Sequence, residues 1–312
     1  MTPFRPLFRN PHLQTIAAHF WRRPRSGRPL SRRLIETEPG VRVLVESERP
    51  EGEARGEIVM LHGLESSGEA GYIRSLAAFA VAAGYAAHRF HMRTCGGTER
   101  WADTLYHAGL TSDLAAVLRL MRREGRAPAH LVGFSLGGGV ALKLAGELGE
   151  AAAESVRSVC AVSTPLDLAA CARRIAAPEN RFYERRFVRR MRARLAATGR
   201  YTQADLAGLD SLAALDDRIT APAFGFGDAA NYYRTQSALQ YLDRIRVPVL
   251  LLQARDDTFV PFDVFESAAL KSNPRIRLIA TEHGGHLGFL GRGPGRFWLD
   301  ETILEWLGEQ TG

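Results

Sequence analysis

Short apolar runs, many rich in β-branched residues, alternate with longer stretches of helical periodicity from about residue 40 onward. Such runs are typical of buried strands, and their alternation with helices is typical of a mostly parallel sheet. The predicted strands are residues 41–45, 58–61, 86–90, 130–132, 156–162, 249–252 and 277–280. The predicted helices are residues 72–83, 113–123, 136–148, 262–270 and 298–307. The pattern therefore predicts an α/β fold in which helices flank a mostly parallel central sheet.

The second predicted helix carries its own start signal. The side chain of Thr111 or Ser112 can accept a hydrogen bond from a backbone N–H group of the first turn. Asp113 follows directly, and a carboxylate suits the positive end of the helix dipole. We expect this helix to begin with a side-chain cap.

The alternation breaks over about residues 165–245. Arginine-rich helical sequence gives way there to a glycine- and aromatic-rich stretch at residues 225–233, after which strands resume. A helical cap inserted between two core strands and lying over the top of the sheet explains this pattern. The length permits one large domain, and we predict a single α/β domain over residues 1–312, with residues 1–40 as an N-terminal extension.

The composition is that of an ordinary globular protein, with 46% apolar and 24% charged residues. The three cysteines, Cys95, Cys160 and Cys171, are too few and too scattered for a disulfide framework or a zinc site. The first residues lack the apolar core of a signal peptide, and the uncharged run at 75–87 is shorter than the ~20 residues of a spanning helix. We expect a cytoplasmic protein without a metal or organic cofactor.

The net charge of +7 is unevenly distributed. Eight arginines and no acidic residue precede Glu36, and residues 171–200 carry ten arginines against two glutamates. These arginines either form solvated helix faces or attract anionic substrates and lipid headgroups, which would bring the protein to the inner membrane surface. No zinc-finger spacing or aromatic ribonucleoprotein motif accompanies them, so we expect no nucleic-acid partner.

The candidate nucleophile is Ser135, within the sequence Gly-Phe-Ser-Leu-Gly at 133–137. This stretch follows a predicted strand and opens a predicted helix. A strand that turns at once into a helix strains the middle residue, and the flanking glycines allow the backbone to approach closely. The pattern favours a serine exposed at the carboxyl end of the sheet over a glycine-rich helix start that merely packs or binds phosphate.

A serine hydroxyl needs a base to take its proton. Of the nine histidines, His286 lies after the last predicted strand in a glycine-flanked loop that can reach the upper edge of the sheet. His283 is the neighbouring alternative, but it lies closer to the strand end and is expected to be a loop residue. We predict His286 as the base.

The acid should follow a strand and precede the base in the chain. The strand at 249–252 leads into two adjacent carboxylates, Asp256 and Asp257. Asp257 is preferred because Asp-x-x-Val-Pro is the usual frame of such a loop, which makes Asp256 a structural neighbour. Asp228 lies within the insertion, where a structural role is expected.

Acyl transfer also needs N–H donors for the developing oxyanion. One candidate is the backbone N–H of Leu136, directly after the nucleophile. The second is the N–H of Leu64, in the His-Gly-Leu turn that follows the strand at 58–61. His62 itself is expected to brace this turn.

The order Ser…Asp…His with G-x-S-x-G resembles the α/β-hydrolase superfamily, and finer features resemble its YheT-like hydrolases and their eukaryotic abhydrolase relatives. The matching stretches are NPHLQT at 10–15, LHGLESS at 61–67, MRTCGGT at 92–98, YHAGLTSD at 106–113, GFSLGG at 133–138 and GGHLGF at 284–289. The resemblance implies a triad of Ser135, Asp257 and His286. It departs from the expected pattern at Gly139, where asparagine is usual, and at Thr94, where many relatives have glycine.

The resemblance implies hydrolysis of carboxylic esters, with short or medium acyl chains in bacterial members and acylglycerols or phospholipids in some membrane-bound relatives. We therefore predict a serine esterase that works through an acyl-enzyme. A thioesterase or an acyltransferase on the same residues is the first alternative. The second is a protein on a hydrolase scaffold that binds membranes or other anionic surfaces. Cys95 lacks a strand-to-helix turn around it and is expected to be structural.

Overall fold

A single eight-stranded sheet is found in the computed structural model of the protein, which describes residues 2–311. The strands are β1 (Ser31–Glu38), β2 (Val41–Glu48), β3 (Glu57–Leu61), β4 (Ala86–Phe90), β5 (Ala129–Phe134), β6 (Val156–Val162), β7 (Val249–Ala254) and β8 (Ile276–Thr281). Their order is β1-β2-β4-β3-β5-β6-β7-β8. Strand β2 is antiparallel to both neighbours, whereas the remaining pairs are parallel. The predicted, mostly parallel sheet is confirmed.

Helices connect the strands and cover both faces of the sheet. They are α1 (Pro11–Phe20), α2 (Gly71–Ala82), α3 (Ser112–Arg123), α4 (Leu136–Leu148), α5 (Leu168–Ile175), α6 (Arg181–Ala197), α7 (Leu212–Leu215), α8 (Ala221–Ala223), α9 (Ala229–Gln236), α10 (Ala268–Ser272) and α11 (Trp298–Glu309). A π-helical turn spans Asp216–Thr220, and 3₁₀ turns span Gly149–Glu154, Pro178–Asn180, Ala238–Arg244, Phe262–Glu266 and Gly293–Phe297. Within the described chain, no helix combines the length and apolar content that crossing a bilayer requires.

The central strands are buried on both faces, which is why they appear in the sequence as continuous apolar runs. In β3, Val59 and Leu61 point into the layer that contains α3 and α4, while Ile58 and Met60 point into the layer that contains α2 and α11. Successive side chains of a strand alternate between faces. Each central strand therefore contributes to two cores at once.

Two expectations about local structure are wrong. The side chain of Thr111 makes no capping bond at the start of α3, where its backbone is helical (φ −99°, ψ −20°) rather than extended as in a typical cap. Its hydroxyl donates to Glu147, and the Ser112 hydroxyl donates to Glu38 at 2.8 Å. The predicted helix at 262–270 is divided into a 3₁₀ turn and α10, because Ser267 has extended backbone angles (φ −61°, ψ 149°). Helix α3 itself forms as predicted, and only the pattern at 262–270 fails to give one continuous helix.

The segment between β6 and β7 contains α5 to α9 and has an apolar cluster of its own. Val188, Met191 and Leu195 on α6 pack there with Leu212 and Leu215 on α7. The segment also contributes residues to the main core, including Cys171 and Tyr232. Its inner surface therefore has a fixed position relative to the carboxyl ends of the strands.

Candidate active site

Ser135 is the turn residue between β5 and α4. Its backbone has φ 52° and ψ −124°, a strained conformation for a residue with a side chain. A Cβ at Gly133 would overlap the backbone of Gly137 and Gly138, and one at Gly137 would lie 2.6 Å from the carbonyl oxygen of His62. The two glycines of the motif are therefore required by close backbone packing, and the tight turn presents the serine side chain above the sheet.

The side chains of Ser135, His286 and Asp257 form a continuous hydrogen-bonded chain. His286 Nε2 lies 3.0 Å from Ser135 Oγ. On the other side of the ring, His286 Nδ1 lies 3.0 Å from Asp257 Oδ1 and 3.1 Å from Oδ2. The structure thus brings together three residues that the sequence places far apart, in the order that proton transfer from a serine requires.

The Asp257 carboxylate is held by several donors. Its Oδ1 accepts the backbone N–H groups of Phe259 at 2.8 Å and Val260 at 3.1 Å. Its Oδ2 accepts from the side-chain amide of Gln253 at 3.2 Å. Asp257 is only 5% exposed and His286 8% exposed, so both groups face each other away from bulk water, with the carboxylate fixed in one orientation.

The neighbouring candidates Asp256 and His283 brace the loop instead. His283 Nδ1 lies 3.1 Å from Asp256 Oδ2, and Asp256 Oδ1 accepts the backbone N–H of Gly285 at 2.9 Å. Neither residue contacts Ser135. Asp228 accepts the N–H of Asn231 at the start of α9, which is a capping contact.

Helix α1, which sequence reasoning did not identify, supports the His286 loop. Thr15 Oγ1 accepts the backbone N–H of His286 at 2.9 Å, and the Gln14 side-chain amide donates 2.9 Å to the carbonyl of Leu290. Asn10 caps the helix, and Pro11 occupies its first turn. These two residue types at a helix start were an available signal.

Two backbone N–H groups near Ser135 are free to bind an oxyanion. Within residues 2–311, neither Leu64 N–H nor Leu136 N–H donates a hydrogen bond. Gly63 packs beside the serine, since a Cβ placed on it would lie 3.1 Å from Ser135 Cβ, and its own N–H donates to the Tyr72 hydroxyl at 3.1 Å. The Leu64 turn is therefore held against Ser135.

The fold agrees with comparisons with known proteins. The model of the α/β-hydrolase fold family matches residues 57–292, which include β3 to β8. The chain belongs to the α/β-hydrolase family. The predicted resemblance is confirmed.

Relatives in this family include YheT of Escherichia coli, provisionally named an esterase, which is 34% identical over 96% of this chain and 91% of its own length. The monoacylglycerol lipase of Saccharomyces cerevisiae is 28% identical over 82% of this chain, which spans only 59% of the lipase. Among solved structures, an esterase of Pyrococcus furiosus superposes with a TM-score of 0.62 at 18% identity and covers 93% of this chain and 100% of its own. That likeness shows the shared hydrolase fold.

A buried ion pair ties helix α6 of this hydrolase to the turn beside Ser135. Arg194 Nε donates to the two carboxylate oxygens of Glu65 at 2.9 and 3.0 Å, and its guanidinium lies 4.7 Å from the Tyr106 ring centroid. Burial lowers the pKa of Arg194, but the charge and hydrogen bonds of Glu65, together with the neighbouring Tyr106 and Cys95, raise it overall. The arginine thus stays charged beside Glu65, the residue that follows Leu64.

The same pair explains the unusual Thr94. Its φ of 61° is a conformation that favours glycine, which accounts for the glycine of many relatives. In this chain Thr94 Oγ1 accepts a hydrogen bond from Arg194 at 3.0 Å. The threonine side chain thereby becomes a third partner of the arginine. Sequence reasoning could not find this network because its members lie 100 and 129 positions apart.

Replacing Arg194 with methionine is expected to destabilise the protein by about 3–5 kcal/mol, because it leaves the buried Glu65 charge unpaired. Urea unfolding followed by circular dichroism would measure the free energy of unfolding. Combining R194M with E65Q should recover part of the loss, since no unpaired charge remains. A single-variant loss below about 1 kcal/mol would show that the pair behaves like an exposed one.

Two cavities meet at Ser135. The open cavity, of about 280 Å³, is lined by residues of α1 and α6, and the inner cavity, of about 100 Å³, by residues of α5, α6, α7 and α9. Both are lined by Ser135, His286 and Phe259. The inner cavity is largely apolar, with Leu168 and Ile175 among its lining residues. A substrate with two arms can therefore reach the serine with one arm in each cavity.

The remaining sequence candidates are structural. His62 Nε2 accepts the N–H of Met92 at 3.1 Å, and its Nδ1 lies 2.8 Å from the Gly63 carbonyl. Burial lowers the pKa of His62 to about 3, so it braces the turn as a neutral ring.

Cys95 is buried, and burial raises the pKa of its thiol. A Cβ at Gly139 would meet no atom closer than 3.9 Å, so sterics do not require glycine there. No metal-binding group of three His, Cys, Asp or Glu occurs among the described residues.

Proposed function

We propose that this α/β hydrolase cleaves carboxylic esters with Ser135 as nucleophile, His286 as general base and acid, and Asp257 as the group that orients the histidine. The observation that supports this most directly is the unbroken chain of hydrogen bonds from Ser135 Oγ through the imidazole to the Asp257 carboxylate. The esterase and lipase names of the relatives point to the same reaction class.

In the first step, His286 Nε2 takes the hydroxyl proton as Ser135 Oγ attacks the ester carbonyl. The N–H groups of Leu64 and Leu136 bind the oxyanion of the tetrahedral intermediate, where one such donor is worth ~10²–10³ in rate. The protonated imidazole then gives its proton to the leaving alcohol. The ester C–O bond breaks, and an acyl group remains on the serine.

In the second step, His286 removes a proton from water, which attacks the acyl-enzyme. The same two N–H groups bind the second oxyanion, and the proton returns to Ser135 Oγ as the carboxylic acid leaves. Throughout, Asp257 accepts the Nδ1–H hydrogen bond and so keeps Nε2 unprotonated at the start of each step.

The substrate class that fits the site is a small-molecule or lipid ester. The relatives' names include a monoacylglycerol lipase and a phospholipase, and the two cavities at Ser135 can hold an acyl group and an alcohol portion separately. We propose that residues 165–245 form a cap over a single hydrolase domain of residues 1–312, because Leu168, Ile175 and Met191 from this segment line the inner cavity.

A fluorophosphonate probe is expected to label the folded protein once, on Ser135, because such probes react with a serine that a base has activated. Tryptic mass spectrometry would locate the adduct, and turnover of p-nitrophenyl esters should fall in proportion to labelling. Ser66 lines the same open cavity and provides the matched control: within residues 2–311 its hydroxyl bonds to Tyr72 at 3.3 Å and to no histidine, so it should stay unmodified. An adduct on Ser66, or turnover that survives complete labelling, would refute the assignment.

A further inference from the structure

The open cavity above Ser135 has a cationic wall. Arg186 and Arg190, one turn apart on α6, line it from one side, and Arg23, which follows α1, lines it from another. Of the many arginines in the two basic segments of the sequence, these three therefore face the same space as the proposed nucleophile. The inner cavity, by contrast, is lined by a single arginine, Arg194, whose charge is paired with Glu65.

These charges are poorly neutralised by the protein. Among residues 2–311, no carboxylate oxygen lies within 4.0 Å of Arg186 or Arg190; Arg186 instead donates to His19 Nε2 at 3.2 Å. Arg23 is 6% exposed and pairs only with Asp300, at 3.7 Å. The buried Arg23 Nε has no hydrogen-bond partner among the described residues, so the protein itself does not satisfy this donor.

Neighbouring groups respond to this positive potential. Burial lowers the pKa of His19, and the charges of Arg186 and Arg190 lower it further. Burial raises the pKa of Tyr72, whereas the charges of Arg190 and Arg23 oppose that rise. Because the Tyr72 hydroxyl accepts the N–H of Gly63, the field of these arginines extends to the turn beside Ser135.

Aromatic side chains border the cationic wall. Phe20 is 77% exposed and Phe182 is 69% exposed, and both line the open cavity. Guanidinium groups next to exposed aromatic rings suit a molecule that combines an anion with apolar carbon atoms. A neutral ester would use the rings but leave Arg186 and Arg190 without a counter-ion, and Arg23 with only Asp300 at 3.7 Å.

We infer that the open cavity selects esters whose alcohol portion carries a phosphate or carboxylate, with Arg23, Arg186 and Arg190 binding that anion while the ester carbonyl lies at Ser135. This inference rests on the proposed ester hydrolysis and specifies its substrate class. Arginine forms charge-assisted, two-point hydrogen bonds with phosphate and carboxylate groups. The anion remains on the alcohol product, and the acyl group is transferred first to the serine and then to water.

The test compares 1-acylglycerol 3-phosphate with 1-acylglycerol and 1-acylglycerophosphocholine, each carrying the same acyl chain. A butyryl series, soluble as monomers, and a decanoyl series distinguish a small dissolved substrate from a lipid. We expect kcat/KM for the phosphate to exceed that for the neutral glycerol ester by about 10- to 100-fold, the value of charge-assisted hydrogen bonds. Preference in the butyryl series identifies a dissolved ester, and preference only in the decanoyl series identifies a lipid headgroup.

The exposed residue Arg190 is the site for substitution, because its replacement leaves the core intact. R190Q, alone and with R186Q, should reduce the ratio of phosphate to neutral-ester kcat/KM by about tenfold or more. R185Q is the matched control: Arg185 lies on the same helix, is exposed, and does not line the cavity, so its ratio should equal that of the unmodified protein. Raised salt should also reduce the ratio of phosphate to neutral-ester kcat/KM, because it screens the charges.

Two failures can be told apart. Equal kcat/KM for phosphate and neutral esters, or a ratio that R190Q and R185Q change alike, would overturn the anion site while leaving ester hydrolysis standing. The absence of any turnover, together with no fluorophosphonate adduct on Ser135, would overturn the proposed function itself.

Discussion

Replacing Ser135 with alanine is expected to lower kcat for a p-nitrophenyl ester by roughly 10⁶-fold, the size of loss seen when the serine of another Ser-His-Asp hydrolase is removed. The reason is geometric as well as chemical. Without Oγ, no atom at the bend between β5 and α4 can form the acyl-enzyme, and His286 Nε2 has no proton to take at 3.0 Å. Steady-state kinetics at saturating ester concentration would measure the loss.

The remaining activity should not fall to the rate in water. The oxyanion donors and the binding cavities persist in S135A, and they leave about 10³–10⁴-fold acceleration in comparable enzymes. Circular dichroism provides the control, because the variant should fold like the parent. It should be somewhat more stable, since alanine removes a polar group, although the positive φ at this position remains. Unchanged kcat in a folded S135A protein would mean that a different residue attacks the ester.

The strands were predictable to the extent that they are buried on both faces. Strands β3, β5 and β7 are buried throughout and β6 is buried except at Arg157, so most of their positions are apolar. Strand β1 was missed because it lies at the edge of the sheet, where only Ile35 is fully buried and four of its eight residues are charged. Its sequence carries little of the alternation that an edge strand with one covered face would show.

The proposed triad could be predicted because a local sequence pattern identifies each of its members. A glycine-flanked bend identifies Ser135, and loops after the last two strands identify Asp257 and His286. No local sequence pattern predicts the contacts that support these residues. Thr15 binds the His286 backbone across 271 positions, and nothing in the spacing of either residue indicates the other. The stretch at 10–15 could be matched by resemblance, but only the structure gives it a role.

The segment between β6 and β7 likewise has helices that a local pattern predicts and long-range contacts that it does not. Its helices could be expected from arginine-rich, alanine-rich sequence, but charge composition alone could not separate solvated arginines from functional ones. Arg194 faces inward to Glu65, Arg190 faces the open cavity, and Arg185 is exposed. One helix, α6, thus carries an arginine that joins it to the proposed oxyanion turn and another that faces the substrate space.

Replacing Asp257 with asparagine is expected to lower kcat by about 10⁴-fold while leaving the fold intact, as the equivalent change does in another Ser-His-Asp enzyme. In the unmodified protein the Asp257 carboxylate is only an acceptor. It accepts hydrogen bonds from His286, from the N–H groups of Phe259 and Val260, and from the Gln253 amide. An asparagine must place its NH₂ group against donors in either orientation. The orientation that keeps the carbonyl on the two backbone N–H groups presents the NH₂ group to Gln253 and to the imidazole.

In that orientation the NH₂ group takes the place of Oδ2, 3.1 Å from Nδ1, and its donation to Nδ1 favours the tautomer with the proton on Nε2, in which the imidazole can no longer take the proton of Ser135. The loss should therefore lie in kcat rather than in KM, because the cavities do not change. Asp256 is the matched control, since it is the adjacent carboxylate and bonds to His283 and Gly285 rather than to His286. Variant D256N should lose far less activity than D257N; equal losses would mean that the whole loop, and not the Asp257 carboxylate, determines the rate.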